Sequence, residues 1–111
     1  PVLDDLSFAV RGGERVALVG PSGAGKSTVL ELLLRFHDAD GGVVRVDGLD
    51  VRAIDPAALR ARIALVPQDP VIFGASLLEN VRYARPGASL GEVEAALDKA
   101  AALAFARALP E

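Results

Sequence analysis

Residues 18–28, "LVGPSGAGKST", determine how the rest of the chain is interpreted. The stretch begins within "RVALV" at residues 15–19, a short apolar run typical of a buried strand. After the loop, "STVLELLLRF" at residues 27–36 spaces its apolar side chains as a helix does. Three glycines lie between the two segments, and glycine adopts positive φ angles without steric cost. We therefore predict a strand, a tight loop and a helix.

The loop fits the Walker A pattern G-x-x-x-x-G-K-S/T in the strand–loop–helix context that this pattern requires. Main-chain N–H groups of such a loop converge on phosphate oxygens, and the helix N-terminus adds partial positive charge. Lys26 is expected to reach the β and γ phosphates of a nucleotide, and the Ser27 hydroxyl to ligate Mg²⁺. A flexible surface turn is the alternative, but a chance match in a chain of this length is rare. The predicted nucleotide-binding residues are Gly20, Pro21, Ser22, Gly23, Ala24, Gly25, Lys26, Ser27 and Thr28.

Composition excludes several classes of protein. A hydrophobic content of 51% with 24% charged residues is typical of a globular domain and too apolar for disorder. A net charge of -3 without a basic cluster argues against a nucleic-acid partner. The absence of cysteine excludes disulfides and thiolate metal sites, and the longest apolar runs are far shorter than the roughly 18 residues of a membrane span. The chain starts at Pro1 and has no methionine, so we expect a piece of a longer protein.

Strand and helix signals alternate in the first half of the chain. "VVRVDG" at residues 43–48 reads as a short strand with a turn at its end, and "IALV" at residues 63–66 as a second buried strand. Between them, Asp55 and Pro56 are typical of the first residues of a short helix. Pro67 and Pro70 bracket a loop. This alternation favours an α/β layer with some antiparallel pairing.

The last third of the chain is predicted to be helical. Ser76 with Glu79 and Ser89 with Glu92 have the S-x-x-E spacing of a capping box. After the second box, one apolar helix face is predicted from Leu90, Val93, Leu97 and Ala101.

Three segments together resemble the nucleotide-binding domains of ABC transporters of the exporter type. They are "VLDDLSFAVRGGERVALVGPSGAGKST", "GGVVRVDGLDV" and "LRARIALVPQDPVIFGASLLENVRYA". The resemblance covers essentially the whole chain and roughly the first half of such a domain. It implies a partial α/β P-loop NTPase fold of the ABC ATPase type, with a mixed sheet, the P-loop helix and the start of the helical subdomain. Residues 1–67 would be the β-rich P-loop portion, and residues 68–111 the Q-loop and the start of the helical subdomain.

The resemblance also assigns roles outside the Walker A loop. Gln68 matches the Q-loop glutamine, which approaches Mg²⁺ and the γ-phosphate, so Lys26 and Gln68 are the predicted catalytic residues and Ser27 and Gln68 the metal-contacting ones. Without the family, Gln68 is simply a polar loop residue. Phe73 and Tyr83 fall where the family packs against its membrane domain, with ordinary core aromatics as the alternative. His37 is interpreted as a solvated residue after the P-loop helix.

For the parent protein, the resemblance implies ATP hydrolysis coupled to transport, with ATP and Mg²⁺ as cofactors. The implied partners are a transmembrane domain, in the same chain or another, and a second nucleotide-binding domain, at the cytoplasmic face of the inner membrane. The signature motif, the Walker B carboxylates and the switch histidine are expected after residue 111, and the adenine-stacking residue before Pro1. The segment alone is therefore predicted to bind nucleotide at most, without turnover.

Two rival functions remain on sequence grounds. A small-molecule kinase would need acceptor-binding arginines in a lid and would have no Q-loop, and "VPQDP" argues against it. A relative that works in DNA repair or translation would give "ENVRYA" no membrane partner. In the sheet that the resemblance implies, residues 15–19 and 63–66 are not neighbours, so both would have open edges in this segment.

Overall fold

The structure, a computed structural model, describes residues 2–110. It divides into two compact units, Pro1–Leu65 and Val66–Glu111. The first unit contains helix α1 (Lys26–Leu33), strands β1 (Arg45–Val46) and β2 (Leu49–Asp50), a 3₁₀ turn (Val51–Ala53) and helix α2 (Pro56–Arg60). The second unit contains helices α3 (Leu77–Arg82), α4 (Leu90–Lys99) and α5 (Leu103–Ala108).

Strands β1 and β2 form a tight antiparallel hairpin in which Val46 lies opposite Leu49. The two residues between the strands, Asp47 and Gly48, have φ angles of 51° and 81°. Positive φ at both positions is the requirement of the turn that joins twisted antiparallel strands, and Asp-Gly is a favoured sequence for it. The predicted turn is therefore confirmed, although the strand before it is shorter than predicted.

The strands predicted at residues 15–19 and 63–66 are wrong for this structure. Within the described residues, the sheet consists of β1 and β2, and neither segment joins it. A strand exists only through hydrogen bonds to a neighbouring strand, and no described segment supplies that neighbour. Their apolar side chains are consequently exposed, Val19 at 89% and Val66 at 92%. The predicted mixed sheet is thus reduced to one hairpin in residues 2–110.

Helix α1 ends earlier than its apolar pattern predicts, in a turn centred on Arg35. The Arg35 N–H donates to Leu32 O at 3.1 Å, and the Phe36 N–H donates to Glu31 O at 2.9 Å. This pair of bonds is the Schellman arrangement, which needs a left-handed residue after the helix, and Arg35 has a φ of 52°. Glycine usually fills this position, whereas here it is an arginine.

Two arginines, Arg35 and Arg60, hold the end of α1 against the segments that follow; we call them the arginine clasp. Arg35 Nη1 donates to the carbonyls of Val51 at 3.3 Å and Ile54 at 3.0 Å. Arg60 Nε donates to Leu34 O at 2.9 Å, and its Nη2 to Arg35 O at 2.7 Å. The clasp satisfies main-chain carbonyls left over at the end of α1 and fixes α2 to it.

Few side chains are fully buried in either unit. Leu34, Val51 and Leu59 are the buried apolar residues of the first unit among those described, and Val93 is that of the second. Leu59, at 1% exposure, is the most completely buried of them. The first unit is therefore organised around the end of α1 and the start of α2, where the arginine clasp also lies.

Both predicted capping boxes are present in the second unit. The Ser76 side chain accepts from the Glu79 N–H, and the Ser89 side chain accepts from the Glu92 N–H, with the reciprocal glutamate bonds also formed. They set the first residues of α3 and α4.

The predicted apolar face of α4 is only partly correct. Val93 is buried and Leu97 is half-buried. Leu90 is 60% exposed, and Ala101 lies beyond the end of α4 with a φ of 55°. The chain turns at Ala101 and begins a separate helix, α5, two residues later.

Candidate functional site

The Walker A loop, residues 20–28, is shaped by two left-handed glycines. Gly23 has a φ of 79° and Gly25 a φ of 86°, which side-chain-bearing residues rarely adopt. Gly20 has a φ of 159°, which side-chain-bearing residues also rarely adopt, and a Cβ atom there would lie 3.2 Å from the Ala24 Cβ. At Gly25 a Cβ atom would also lie 2.6 Å from Leu3 Cδ2, so the site lacks space as well.

The N-terminus of α1 is open to an external acceptor. Its N-cap is Gly25, no described side chain caps it, and its first turn has no acidic residue. Helices α2, α3 and α4 differ, since the side chains of Asp55, Ser76 and Ser89 accept from their first-turn amides. The first N–H groups of α1 therefore have no side-chain acceptor among the described residues and lie at the positive end of the helix dipole, which is the arrangement that binds phosphate.

Lys26 is held at the mouth of this loop. Its Nζ donates to Gly20 O at 2.8 Å and to Pro21 O at 2.7 Å. The Ala24 N–H donates to Pro21 O at 3.3 Å, which closes the turn beneath the ammonium group. The residue is half-buried. A positive charge is thus anchored within the loop whose amide groups are available to an anion.

The residues after Lys26 fit a magnesium ion held mainly by nucleotide. Ser27 is exposed in the first turn of α1, and Thr28 is half-buried beside it. Mg²⁺ prefers oxygen ligands and usually combines one or two protein ligands with phosphates and water. Among residues 2–110 no group of three or more His, Cys, Asp or Glu could hold a metal alone. A hydroxyl beside a phosphate loop agrees with that chemistry.

An open cavity lies next to the loop. Its volume is about 470 Å³, and it is bordered by residues of the N-terminal segment, of residues 17–19 and of the Walker A loop. Lys26 and Gly25 are among the lining residues, together with Val2, Leu3 and Leu6. The loop is consequently accessible from one side, and that side is largely apolar.

The Q-loop candidate lies in the other unit. Gln68 is exposed between Pro67 and Pro70, at the start of the second unit, whereas Lys26 and Ser27 belong to the first. Its assignment to the metal and the γ-phosphate therefore stays a prediction. His37 is exposed after α1, as expected of a solvated residue.

Phe73 and Tyr83 form a stacked aromatic pair, with ring centroids 4.4 Å apart and an interplanar angle of 26°. Phe73 is 42% exposed and Tyr83 68% exposed among the described residues. Their assignment to a contact with the membrane domain stays a prediction. Sequence reasoning missed Asn80, whose side chain bonds to the main chain of Phe73. The available signal was an asparagine inside α3, a position where its side chain tends to seek nearby main-chain groups.

The comparison with protein families places almost all of the chain in one family. Residues 3–110 match the family described as ABC transporter. The chain belongs to the ABC transporter family. Among residues 2–110, no helix has the length and apolar character needed to cross a membrane.

Curated relatives are similar over nearly the whole chain. "ATP-binding cassette sub-family B member 6" from Homo sapiens is 49% identical over 109 residues, which are 98% of this chain and 13% of the relative. The "ATM1-type heavy metal exporter" from Novosphingobium aromaticivorans is 47% identical over 110 residues, 99% of this chain and 18% of that protein. The chain therefore spans less than a fifth of the length of these relatives.

A solved structure supports the fold. The chain matches "Structure of a bacterial Atm1-family ABC exporter with ATP bound" with a TM-score of 0.76 and 46% sequence identity, over 81% of this chain and 16% of that one. This likeness confirms the predicted class, a partial α/β fold of the ABC ATPase type, even though the described residues form only one hairpin.

Proposed function

We propose that this chain is the ATP-binding segment of an ABC exporter, in which binding and hydrolysis of ATP drive transport across a membrane. The observation that carries the proposal is the open N-terminus of α1 with Lys26 anchored beside it. The similar proteins support it, because they include a heavy metal exporter and an ATP-bound exporter.

Residues 20–28 hold the triphosphate. The main-chain N–H groups at the start of α1 donate to phosphate oxygens, while Lys26 exchanges its bonds to the two loop carbonyls for bonds to the β and γ phosphates. The two carbonyls hold the ammonium close to the loop beforehand, so little side-chain freedom is lost on binding.

Mg²⁺, when bound, neutralises phosphate charge. Ser27 would supply a hydroxyl to it, and Gln68 an amide oxygen. Lys26 and Gln68 are the residues of this segment assigned to catalysis. Phosphoryl transfer also needs an oriented water nucleophile, which the resemblance assigns to motifs outside this segment. The full-length protein is then an ATPase, and the segment alone binds nucleotide without turnover.

The partners of the full-length protein are a transmembrane domain and a second nucleotide-binding domain. Phe73 and Tyr83 meet the transmembrane domain, because a stacked and exposed aromatic pair is the kind of surface that fills a pocket on a partner. The segment then lies at the cytoplasmic face of the inner membrane, and no nucleic acid takes part.

The test of nucleotide binding is a titration of Mg-ATP into wild-type, Lys26→Ala and Lys99→Ala forms of the full-length protein, followed by calorimetry. The chain has two lysines, so Lys99→Ala removes the same charge from the exposed end of α4 and serves as a matched control. Loss of charge-assisted bonds to phosphate is expected to weaken binding at least about tenfold in Lys26→Ala alone. Equal affinity in all three forms would refute the role of Lys26.

A further inference from the structure

The side chain of Asn80 joins α3 to the loop that precedes it. Its Oδ1 accepts from the Phe73 N–H at 2.8 Å. Its Nδ2 donates to the carbonyls of Phe73 at 3.1 Å, Ala75 at 3.2 Å and Ser76 at 3.0 Å. An asparagine amide has two N–H donors and one carbonyl, so all of its polar groups are used and one N–H is shared. We call this set of bonds the Asn80 bridge.

The bridge gives Phe73 what a neighbouring strand would give. Phe73 lies in a segment without regular secondary structure, and Asn80 pairs with both its N–H and its C=O. Such paired bonds are what two facing residues exchange in an antiparallel ladder. One half-buried side chain therefore fixes the main chain of Phe73 to the first turn of α3.

The second ring of the aromatic pair is tied to the same residue. Tyr83 is the C-cap of α3, and its N–H donates to the main-chain carbonyl of Asn80 at 3.3 Å. Phe73 is thus held by the side chain of Asn80 and Tyr83 by its main chain. Both residues are therefore bonded to one residue of α3, and their rings stack with centroids 4.4 Å apart.

We infer that Asn80 is a positioning residue that presets the Phe73–Tyr83 pair as a rigid surface for the transmembrane partner. This inference rests on the proposed coupling function of the pair. Rings that are fixed before docking lose less conformational freedom when a partner covers them. Binding is therefore tighter although no further atoms come into contact. Breaking the bridge should weaken coupling while the nucleotide loop, in the other unit, is unchanged.

The experiment compares wild type with Asn80→Ala and Asn80→Asp in the full-length protein, carrying fluorotyrosine at position 83. Fluorine NMR reports the stacking of Phe73 on Tyr83, and hydrogen exchange reports the Phe73 amide. In Asn80→Ala we expect about tenfold or faster exchange at Phe73, loss of the ring-current shift, and reduced transport at unchanged Mg-ATP affinity. Asn80→Asp keeps the acceptor for Phe73 but removes the donors, so it should retain part of the amide protection.

Ser76→Ala is the matched structural control. It removes the side-chain cap of α3 and leaves the Asn80 bridge in place, because Asn80 contacts only the main-chain carbonyl of Ser76. It should lower thermal stability while keeping the fluorine shift and transport. If Ser76→Ala reduces transport as much as Asn80→Ala does, Asn80 acts through helix stability and the inference is overturned. Retention of the fluorine shift and of Phe73 protection in Asn80→Ala would overturn it too.

The aromatic variant separates this inference from the proposed function. If Asn80 acts through the pair, the double variant Asn80→Ala/Tyr83→Ala transports no worse than Tyr83→Ala alone. Additive losses contradict a role through the pair. If Tyr83→Ala alone transports normally, the coupling function of the pair fails instead, whatever the fluorine shift and the amide exchange show about the bridge.

Discussion

Replacing Arg60 with alanine should release the C-terminal end of α1. The change removes two hydrogen bonds, from Nε to Leu34 O and from Nη2 to Arg35 O, without altering any residue of α1. It also removes the contact of the guanidinium with the ring of Phe36, whose centroid lies 5.0 Å from Cζ. The last turn of α1 then loses the cation that compensates its carbonyls.

The free energy lost in Arg60→Ala depends on how exposed each acceptor carbonyl is. The Leu34 carbonyl bond is part-buried, so losing its charged donor costs about 1–2 kcal/mol. The Arg35 carbonyl bond is exposed and water can replace the donor, so its loss costs about 0.5 kcal/mol. The ring contact adds about 0.5 kcal/mol. Together these contributions amount to about 2–3 kcal/mol, and the lower value already corresponds to about thirtyfold more frequent opening of the helix end.

Hydrogen exchange of the full-length protein measures that opening. Peptides that include the Arg35 and Phe36 amides, which donate back into α1, should exchange at least about thirtyfold faster in Arg60→Ala. Arg62→Ala is the control, because Arg62 pairs with Asp47 at 2.8 Å while their side chains are 60% and 66% exposed. Such exposed pairs contribute about 0–1 kcal/mol. Equal exchange rates in wild type and Arg60→Ala, or equal acceleration in both variants, would refute the clasp.

Three further outcomes are expected. The hydrogen bonds from the Arg52 side chain, and to a smaller extent the bond from the Arg52 N–H, lower the pKa of Asp50 from 3.8 to about 2. The stabilisation that ionised Asp50 gives the folded state is therefore complete above about pH 4 and is lost as the pH falls towards 2. A carboxyl NMR titration checks this, and its midpoint should rise in Arg52→Ala. In the full-length protein, Tyr83→Ala should lower transport or assembly with the transmembrane domain while Mg-ATP binding is kept; lost nucleotide binding with normal assembly would contradict this. The excised 111-residue segment should self-associate, melt at a lower temperature than the whole domain and release no more phosphate from ATP than buffer does. Light scattering, calorimetry and a phosphate assay measure these three properties. A monomer that melts like the whole domain and hydrolyses ATP would refute the prediction.

The features that sequence predicted correctly are those settled within a few residues. The capping boxes at Ser76 and Ser89, the helix start at Asp55 and the turn at Asp47 each depend on side chains and φ angles no more than three positions apart. The Walker A loop is of the same kind, since its glycines and Lys26 form one short contiguous unit. Helix caps and tight turns of this type form from their own few residues and do not depend on distant parts of the chain.

The features that sequence did not predict depend on distant partners. Residues 15–19 and 63–66 have strand-like composition, but a ladder requires a neighbour that the described residues do not provide. Arg60 lies 26 positions from the Leu34 carbonyl that it bonds, and no pattern in the sequence links them. From the sequence, Asn80 could be identified only as an asparagine within a helix. Its bridge to Phe73 depends on the path of the loop before α3, which the sequence does not reveal.

Substitutions at the two left-handed glycines of the Walker A loop, Gly23 and Gly25, perturb the protein in two different ways. At Gly23 an added methyl group would meet nothing within 4 Å, so a substitution there probes backbone conformation alone. At Gly25 the methyl group would also collide with Leu3, outside the loop. Inactivation by Gly25→Ala therefore does not by itself implicate phosphate. A shorter side chain at position 3 should partly restore the function of Gly25→Ala but not that of Gly23→Ala. Such a result would show that the N-terminal segment limits which residues the loop can accept.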